Sequence, residues 1–356
     1  LQGSGECTTI NAVNAPFEKL ETWRGLVDEL VTSGRVDLVP GQEAGGGPPE
    51  PLTLQTEEGA GVLVLARAGG PNRFERDRNR GARIDGFTIK SASTGGGIIV
   101  NGYGKYLDIS NNRVANNQGF FGGGIRVGHP ALTAEADLIP GGCPNGAALC
   151  YPNAENDYID IYSNQVVFNG GLGGAGGGIS MCTGSDSYAV TRNWVCGNFS
   201  LRDGGGIGHT GVSDGTWVTV PDTGPQRNRV WTLVDVPRIE DNTVIFNESF
   251  FQGQTVSGGG IYIGGAQPLT PGGLTNGAGN VKVNANLIQG NSAGAGDGGG
   301  LRLAGVNGQD VADNPGNLAK QSGNQGADDP APWTTVDVFN NIFVNNVAGL
   351  AGGGLS

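Results

Sequence analysis

Asp108 and Asp160 each stand four residues ahead of an asparagine, at the same place in a phrase that the chain repeats. If the phrases stack, the two carboxylates become neighbours, and their repulsion either raises one pKa or recruits a cation such as Ca²⁺. Paired carboxylates are also the acid and base of glycoside hydrolysis, which needs a separation of about 5–10 Å inside a cleft. Asp108 and Asp160 are therefore the candidates for both a catalytic pair and a calcium site, against the reading of two solvated surface aspartates. The full column reads Asp108, Asp160, Ala189, Arg238, Lys282 and Asp337. A second column, after the glycine triplets described below, reads Ile99, Arg126, Ser180, Gly208, Tyr262, Arg302 and Ser356. Its outward-pointing Arg126, Tyr262 and Arg302 are the candidates for sugar binding, an aromatic ring stacking on a pyranose and guanidinium groups bonding hydroxyls or carboxylates. Asp203 and Asp297 each precede a triplet and are expected to serve turns. His129 and His209 follow triplets at different offsets, so they are not expected to share a metal.

The positioning element is a repeat. Six asparagine pairs, each five residues apart, recur along the chain: Asn112/Asn117, Asn164/Asn169, Asn193/Asn198, Asn242/Asn247, Asn286/Asn291 and Asn341/Asn346. Val114, Val166, Val195, Val244, Ile288 and Phe343 lie two residues after each first member, and each pair is followed by three glycines. An earlier triplet, Gly95 to Gly97, follows Ile84-Asp85-Gly86-Phe87-Thr88-Ile89, a coil without the asparagines. A fixed phrase at intervals of tens of residues marks stacked coils. Alternating apolar residues flank each landmark, as in Ile159/Ile161 before an asparagine and Ile261/Ile263 after the glycines. Each coil should hold about three short strands. The expected fold is all-β: a right-handed parallel β-helix of about seven or more coils, with its apolar positions in inward columns. Asparagine at a corner tolerates left-handed backbone angles and can bond its amide along the stack, so all twelve asparagines are assigned structural roles. Asn198-Phe-Ser and Asn247-Glu-Ser match the glycosylation sequon, but both belong to the ladder.

First asparagines are separated by 52 (112 to 164), 29 (164 to 193), 49 (193 to 242), 44 (242 to 286) and 55 (286 to 341) residues. The surplus over a bare coil falls near 129–157, 211–235, 264–279 and 305–334, so the loops are expected along one edge. Phe17, Leu20, Leu26, Val27, Leu30 and Val31 form a helical stripe between Pro16 and Gly34 that would cap the first coil. This divides the chain into a cap region, 1–61, and a coil stack, 62–356. The stack is expected to continue past Ser356, and the chain to be a processed or excised piece.

Composition narrows the partners. Gly is 68 of 356 residues without a collagen period, which fits tight turns and close stacking. A formal charge of -12 argues against nucleic acid and anionic membranes. No apolar run is long enough to cross a bilayer as a helix. Five cysteines suggest an oxidising compartment and two local disulfides, Cys143 with Cys150 and Cys182 with Cys196, leaving Cys7 over.

Asn-Ile-Phe-Val-Asn-Asn (341–346) and Gly-Gly-Gly-Ile (122–125, 258–261) resemble the Phe-x-x-Asn and Gly-Gly-Ala-Ile repeats of polymorphic outer-membrane proteins, and more broadly the coils of the pectate-lyase-like superfamily. The likeness covers about residues 62–356 and implies a secreted or surface-exposed bacterial protein. Two functions are expected to compete. One is a non-catalytic adhesion or assembly stalk whose loops bind a surface partner or other copies of the chain. The other is a carbohydrate-binding or polysaccharide-degrading protein, with Ca²⁺ its only candidate cofactor.

Overall fold

The structure, a computed structural model, describes residues 25–38, 60–69, 81–93, 95–128, 156–173, 175–182, 185–210, 236–265, 278, 280–306 and 336–356. One coil runs through strands Asp108–Ser110, Arg113–Ala115, Gln118–Gly119 and Ile125–Val127. Equivalent strands of successive coils pair in parallel, giving four sheets of seven, seven, six and seven strands. Here they are the first to fourth sheets, in their order along a coil. The chain is thus the expected right-handed parallel β-helix. It has one strand per coil more than the expected three, because the two-residue third strand carries no apolar alternation to announce it.

The register follows the repeat residue by residue. Val114, Val166, Val195, Val244, Ile288 and Phe343 stack in the second sheet. Ile109, Ile161, Val190, Ile239 and Val283 of the first sheet face Ile125, Ile179, Ile207, Ile261 and Leu301 of the fourth, all within one buried core. Each such side chain contributes about 1.5–3 kcal/mol of transfer free energy, so a chain of short strands still acquires a continuous apolar interior.

The glycine triplet has a separate cause at each position. In the six triplets that follow an asparagine pair the first glycine is left-handed, as at Gly204 with φ 71° and Gly258 with φ 70°. The second and third pack against the next coil: a methyl at Gly205 would fall 2.4 Å from Gly259 O, and one at Gly206 would fall 2.6 Å from Gly260 O. No side chain fits there without moving backbone.

Corners between the first three sheets turn on left-handed residues, but these are not the ladder asparagines. They are the residues immediately before them, including Ser163, Phe168, Arg192, Phe246 and Ala285 with φ between 54° and 57°. This corrects the expected role, since the ladder asparagine supplies the hydrogen bonds while its predecessor supplies the turn.

A helix over 25–32 ends at Gly34 with φ 66°, and Arg35 N–H bonds back to Leu30 O at 3.0 Å. Val27 is buried, and Asp37 N–H reaches Ala66 O at 3.0 Å, fastening the segment beside the first strand, Val62–Val64. Phe17 and Leu20 lie outside the described residues. So do the inserted stretches almost entirely, together with Cys7, Cys143, Cys150 and His129. The described chain leaves for each of these stretches after a fourth-sheet strand and rejoins at or just before the first sheet.

Cys182 and Cys196 are not joined to each other. Between them the chain passes through the first-sheet strand Ala189–Thr191, which delivers Cys196 to the second sheet while Cys182 stays at the end of a fourth-sheet strand. The expected disulfide therefore gives way to thiols on different sheets.

Candidate functional site

Two amide columns run the length of the stack. Nδ2 of Asn112, Asn164, Asn193, Asn242 and Asn286 donates to Oδ1 of the next asparagine at 2.9–3.1 Å. Asn117, Asn169, Asn198, Asn247 and Asn291 repeat the pattern toward Asn346 at 2.9–3.0 Å. Each interior amide is saturated. Asn198 Nδ2 donates to Asn247 Oδ1 and to Val166 O, both at 2.9 Å, while its Oδ1 accepts from Asn169 N at 3.0 Å and Asn169 Nδ2 at 2.9 Å. The ladder begins where Phe87 N and Ala92 N donate to Asn112 and Asn117. Asn198 and Asn247 are buried in these bonds, so neither sequon side chain is presented to solvent.

Asp108 and Asp160 do stand opposite one another in adjacent strands. Asp108, however, is held by Arg83 from the preceding coil, with Nη2 at 2.9 Å from Oδ2. That bond raises the Arg83 pKa above its ordinary value. The column thus begins with an ion pair that the sequence phrase did not include, because Arg83 belongs to the coil without asparagines. Among the described residues no group of three His, Cys, Asp or Glu side chains is placed to hold a metal ion.

The column after the triplets has the expected register, from Ile99 and Arg126 to Tyr262 and Arg302. Its expected exposure is corrected. Arg126 is 1 % exposed and Tyr262 is 6 % exposed. The first glycine of the triplet lies against the outer side of the strand that follows, a methyl at Gly258 falling 2.8 Å from Tyr262 Cβ and one at Gly122 falling 3.3 Å from Arg126 Cβ. Neither side chain offers a face to a sugar ring. Arg302 is half-buried and engaged by Asp297 at 3.4 Å and Ser356 Oγ at 2.9 Å.

Asp203 and Asp297 have the turn role expected of them, in a form the sequence did not reveal. Asp203 Oδ1 accepts from Ser257 N at 2.6 Å, Ser257 Oγ from Asp297 N at 3.2 Å, and Asp297 Oδ1 from Ala351 N at 3.0 Å. These form a third ladder, of oxygen acceptors, ahead of the triplets. Burial pushes the Asp203 carboxyl above the usual carboxylate range, partly offset by the Ser257 N–H and by Arg202 and Arg302. Burial also raises Tyr262, and the neighbouring Asp203 adds to the rise.

His209 lies in the core, stacked between Met181 and Ile263. Its Nε2 is 2.6 Å from Ala278 O, which can only accept, so Nε2 carries the proton. Nδ1 is then the acceptor for Tyr188 O–H at 2.5 Å. Burial pushes the His209 pKa down to about 4, the Ala278 bond opposing the shift. The histidine is a neutral, satisfied core residue.

What the repeat did not signal is an exposed aromatic surface. Phe168 is 60 %, Phe246 59 % and Trp194 47 % exposed, all on or beside the second sheet. No protein-family model matches the chain, and no curated protein or solved structure matches it either.

Proposed function

We propose that the chain is the rigid coil stack of a secreted or cell-surface bacterial protein, built of coils like those of the pectate-lyase-like superfamily. Its inserted stretches, near 129–157, 211–235, 264–279 and 305–334, recognise a surface partner or other copies of the chain. One observation carries this reading: all four insertions attach between the fourth and first sheets, while the turns joining the first, second and third sheets are closed by two unbroken columns of asparagine hydrogen bonds. A solenoid with insertions at one phase displays them along a single edge, separating a stiff body from a variable face. The candidate acid Asp108 sits in an ion pair, and Arg126 and Tyr262 are buried, which weakens the reading as a polysaccharide-degrading enzyme.

The test is to shorten 211–235 and 307–335 to Gly-Ser linkers and to place an epitope tag in the second in otherwise intact protein. The shortened protein should unfold at an unchanged temperature yet lose attachment to cells or assembly. The tag should be stained on intact cells. Staining only after lysis, or undiminished attachment by the shortened protein, would refute the proposal.

A further inference from the structure

Phe168 and Phe246 combine two unfavourable choices. Each is a left-handed non-glycine residue, with φ 57° and 54°, a conformation that costs roughly 1–2 kcal/mol for a residue with a Cβ. Each also exposes a large apolar ring. The same corner holds Asn116 and Asn345 in other coils, residue types that suit the conformation and the solvent, so the turn does not require phenylalanine.

Both rings are seated alike. A methyl at Gly197 would fall 2.6 Å from Phe168 Cε1, and one at Gly290 would fall 2.5 Å from Phe246 Cε1. In each case a glycine in the next coil makes room for the ring to lie over the corner. Trp194 projects from the coil between them, and the partly exposed Phe199 flanks Gly197 on the other side. Rings thus occur at three successive levels of the stack, about 4.8 Å apart, with the two phenylalanines about 10 Å apart.

The surface is also uncharged. From Gln165 to Val344, the outward positions of the second sheet and of this corner carry no Asp, Glu, Lys or Arg over five coils. Charge appears at the margins, at Arg192, Asp241 and Glu248, and at Arg113 in the coil before the strip, whose Nη1 donates to Gln165 Oε1 at 3.2 Å. In a chain of formal charge -12, a neutral strip is complementary to a neutral partner and offers nothing to a polyanion.

We propose that this strip binds an extended neutral polysaccharide of the β-1,4-linked glucan type, lying along the helix axis. One pyranose unit spans about one coil, and alternate units turn the same face, so Phe168 and Phe246 meet equivalent sugar faces, while in the coil between them Gly197 stands at this register and Trp194 lies three residues away along the strand, at the side of the strip. Thr243 and Gln289 border the rings and supply neutral partners for hydroxyl groups.

The test is affinity electrophoresis of the whole chain in gels containing hydroxyethylcellulose, with amylose and polygalacturonate gels as controls. Phe168→Asn and Phe246→Asn install the residue type this corner already uses, and Trp194→Ala alters an exposed site, so the triple variant should keep its fold, checked by circular dichroism and unfolding temperature. Retardation by hydroxyethylcellulose alone, weakened at least about tenfold in the triple variant, is the expected result. No retardation of the wild type, equal retardation of wild type and variant, or stronger retardation by polygalacturonate would each overturn the proposal. So would self-association of the wild type, lost in the variant, without glycan binding, since the strip would then be an interface between copies.

Discussion

Removing one interior ladder amide should cost more than removing most core methyl groups, and Asn198→Ala measures it. Four bonds disappear: two donated by Nδ2, to Asn247 Oδ1 and Val166 O, and two accepted by Oδ1, from Asn169 N and Asn169 Nδ2. The acceptors are not equally harmed, because Asn247 Oδ1 still receives Asn198 N at 3.0 Å. The donors are, because Asn169 N and one Asn169 Nδ2 hydrogen lose their partners inside a buried corner. An orphaned buried donor costs about 1–3 kcal/mol, so two imply about 2–6 kcal/mol. That is a large share of the ~5–15 kcal/mol by which a domain is stable. Urea unfolding followed by circular dichroism gives the difference, with Gln118→Ala as the comparison, since Gln118 is exposed and belongs to neither column. A loss below about 1 kcal/mol for Asn198→Ala would refute the claim that the columns carry the fold.

His209 should make the protein acid-sensitive. Its folded pKa of about 4 lies below the ordinary 6.5, so this contribution is complete above pH 6.5 and is lost as pH falls toward 4, amounting to roughly 3 kcal/mol. Unfolding titrations of the wild type and of Tyr188→Phe/His209→Ile should differ in slope across that window and not above it. Ala285→Gly, at an exposed left-handed corner with φ 55°, should stabilise by about 0.5–1 kcal/mol as the strain of the Cβ outweighs the added freedom of the unfolded chain. Gly206→Ala should destabilise by about 1–3 kcal/mol, because the methyl would meet Gly260 O at 2.6 Å and Asn247 Nδ2 at 2.9 Å.

The repeat carried the architecture because every coil must present the same atoms to its neighbours. Asp108 faces Asp160, and Val114 faces Val166, as phrase alignment alone requires. What alignment could not supply is solvent. Arg126 and Tyr262 point away from the core as expected, yet both are buried, with the first glycine of their own triplets packed against them, a contact that the alternation of apolar residues does not reveal. Arg83 escaped notice for the opposite reason, since its coil lacks the asparagines that mark the register. His209 was within reach: it lies three residues past a triplet, as Val127 and Met181 do, which is the inward phase of the fourth sheet. The left-handed corners hid behind the asparagines one residue later, which are the types usually expected in that conformation.

These cases divide the molecule's residues by how tightly the repeat constrains them. Inward apolar positions and ladder amides must satisfy two neighbouring coils at once, so their identity reports the fold and little else. Outward positions face no such demand, and the column from Arg83 through Asp108, Asp160, Ala189, Arg238, Lys282 and Asp337 changes character freely along the stack. Variation there is therefore weak evidence of function, and an attractive pair such as Asp108 and Asp160 can be an accident of register. A residue that departs from the repeat at an energetic cost carries more weight. By that measure the fold points away from its carboxylates and toward Phe168 and Phe246, where strain and exposed apolar surface coincide twice in the same geometry.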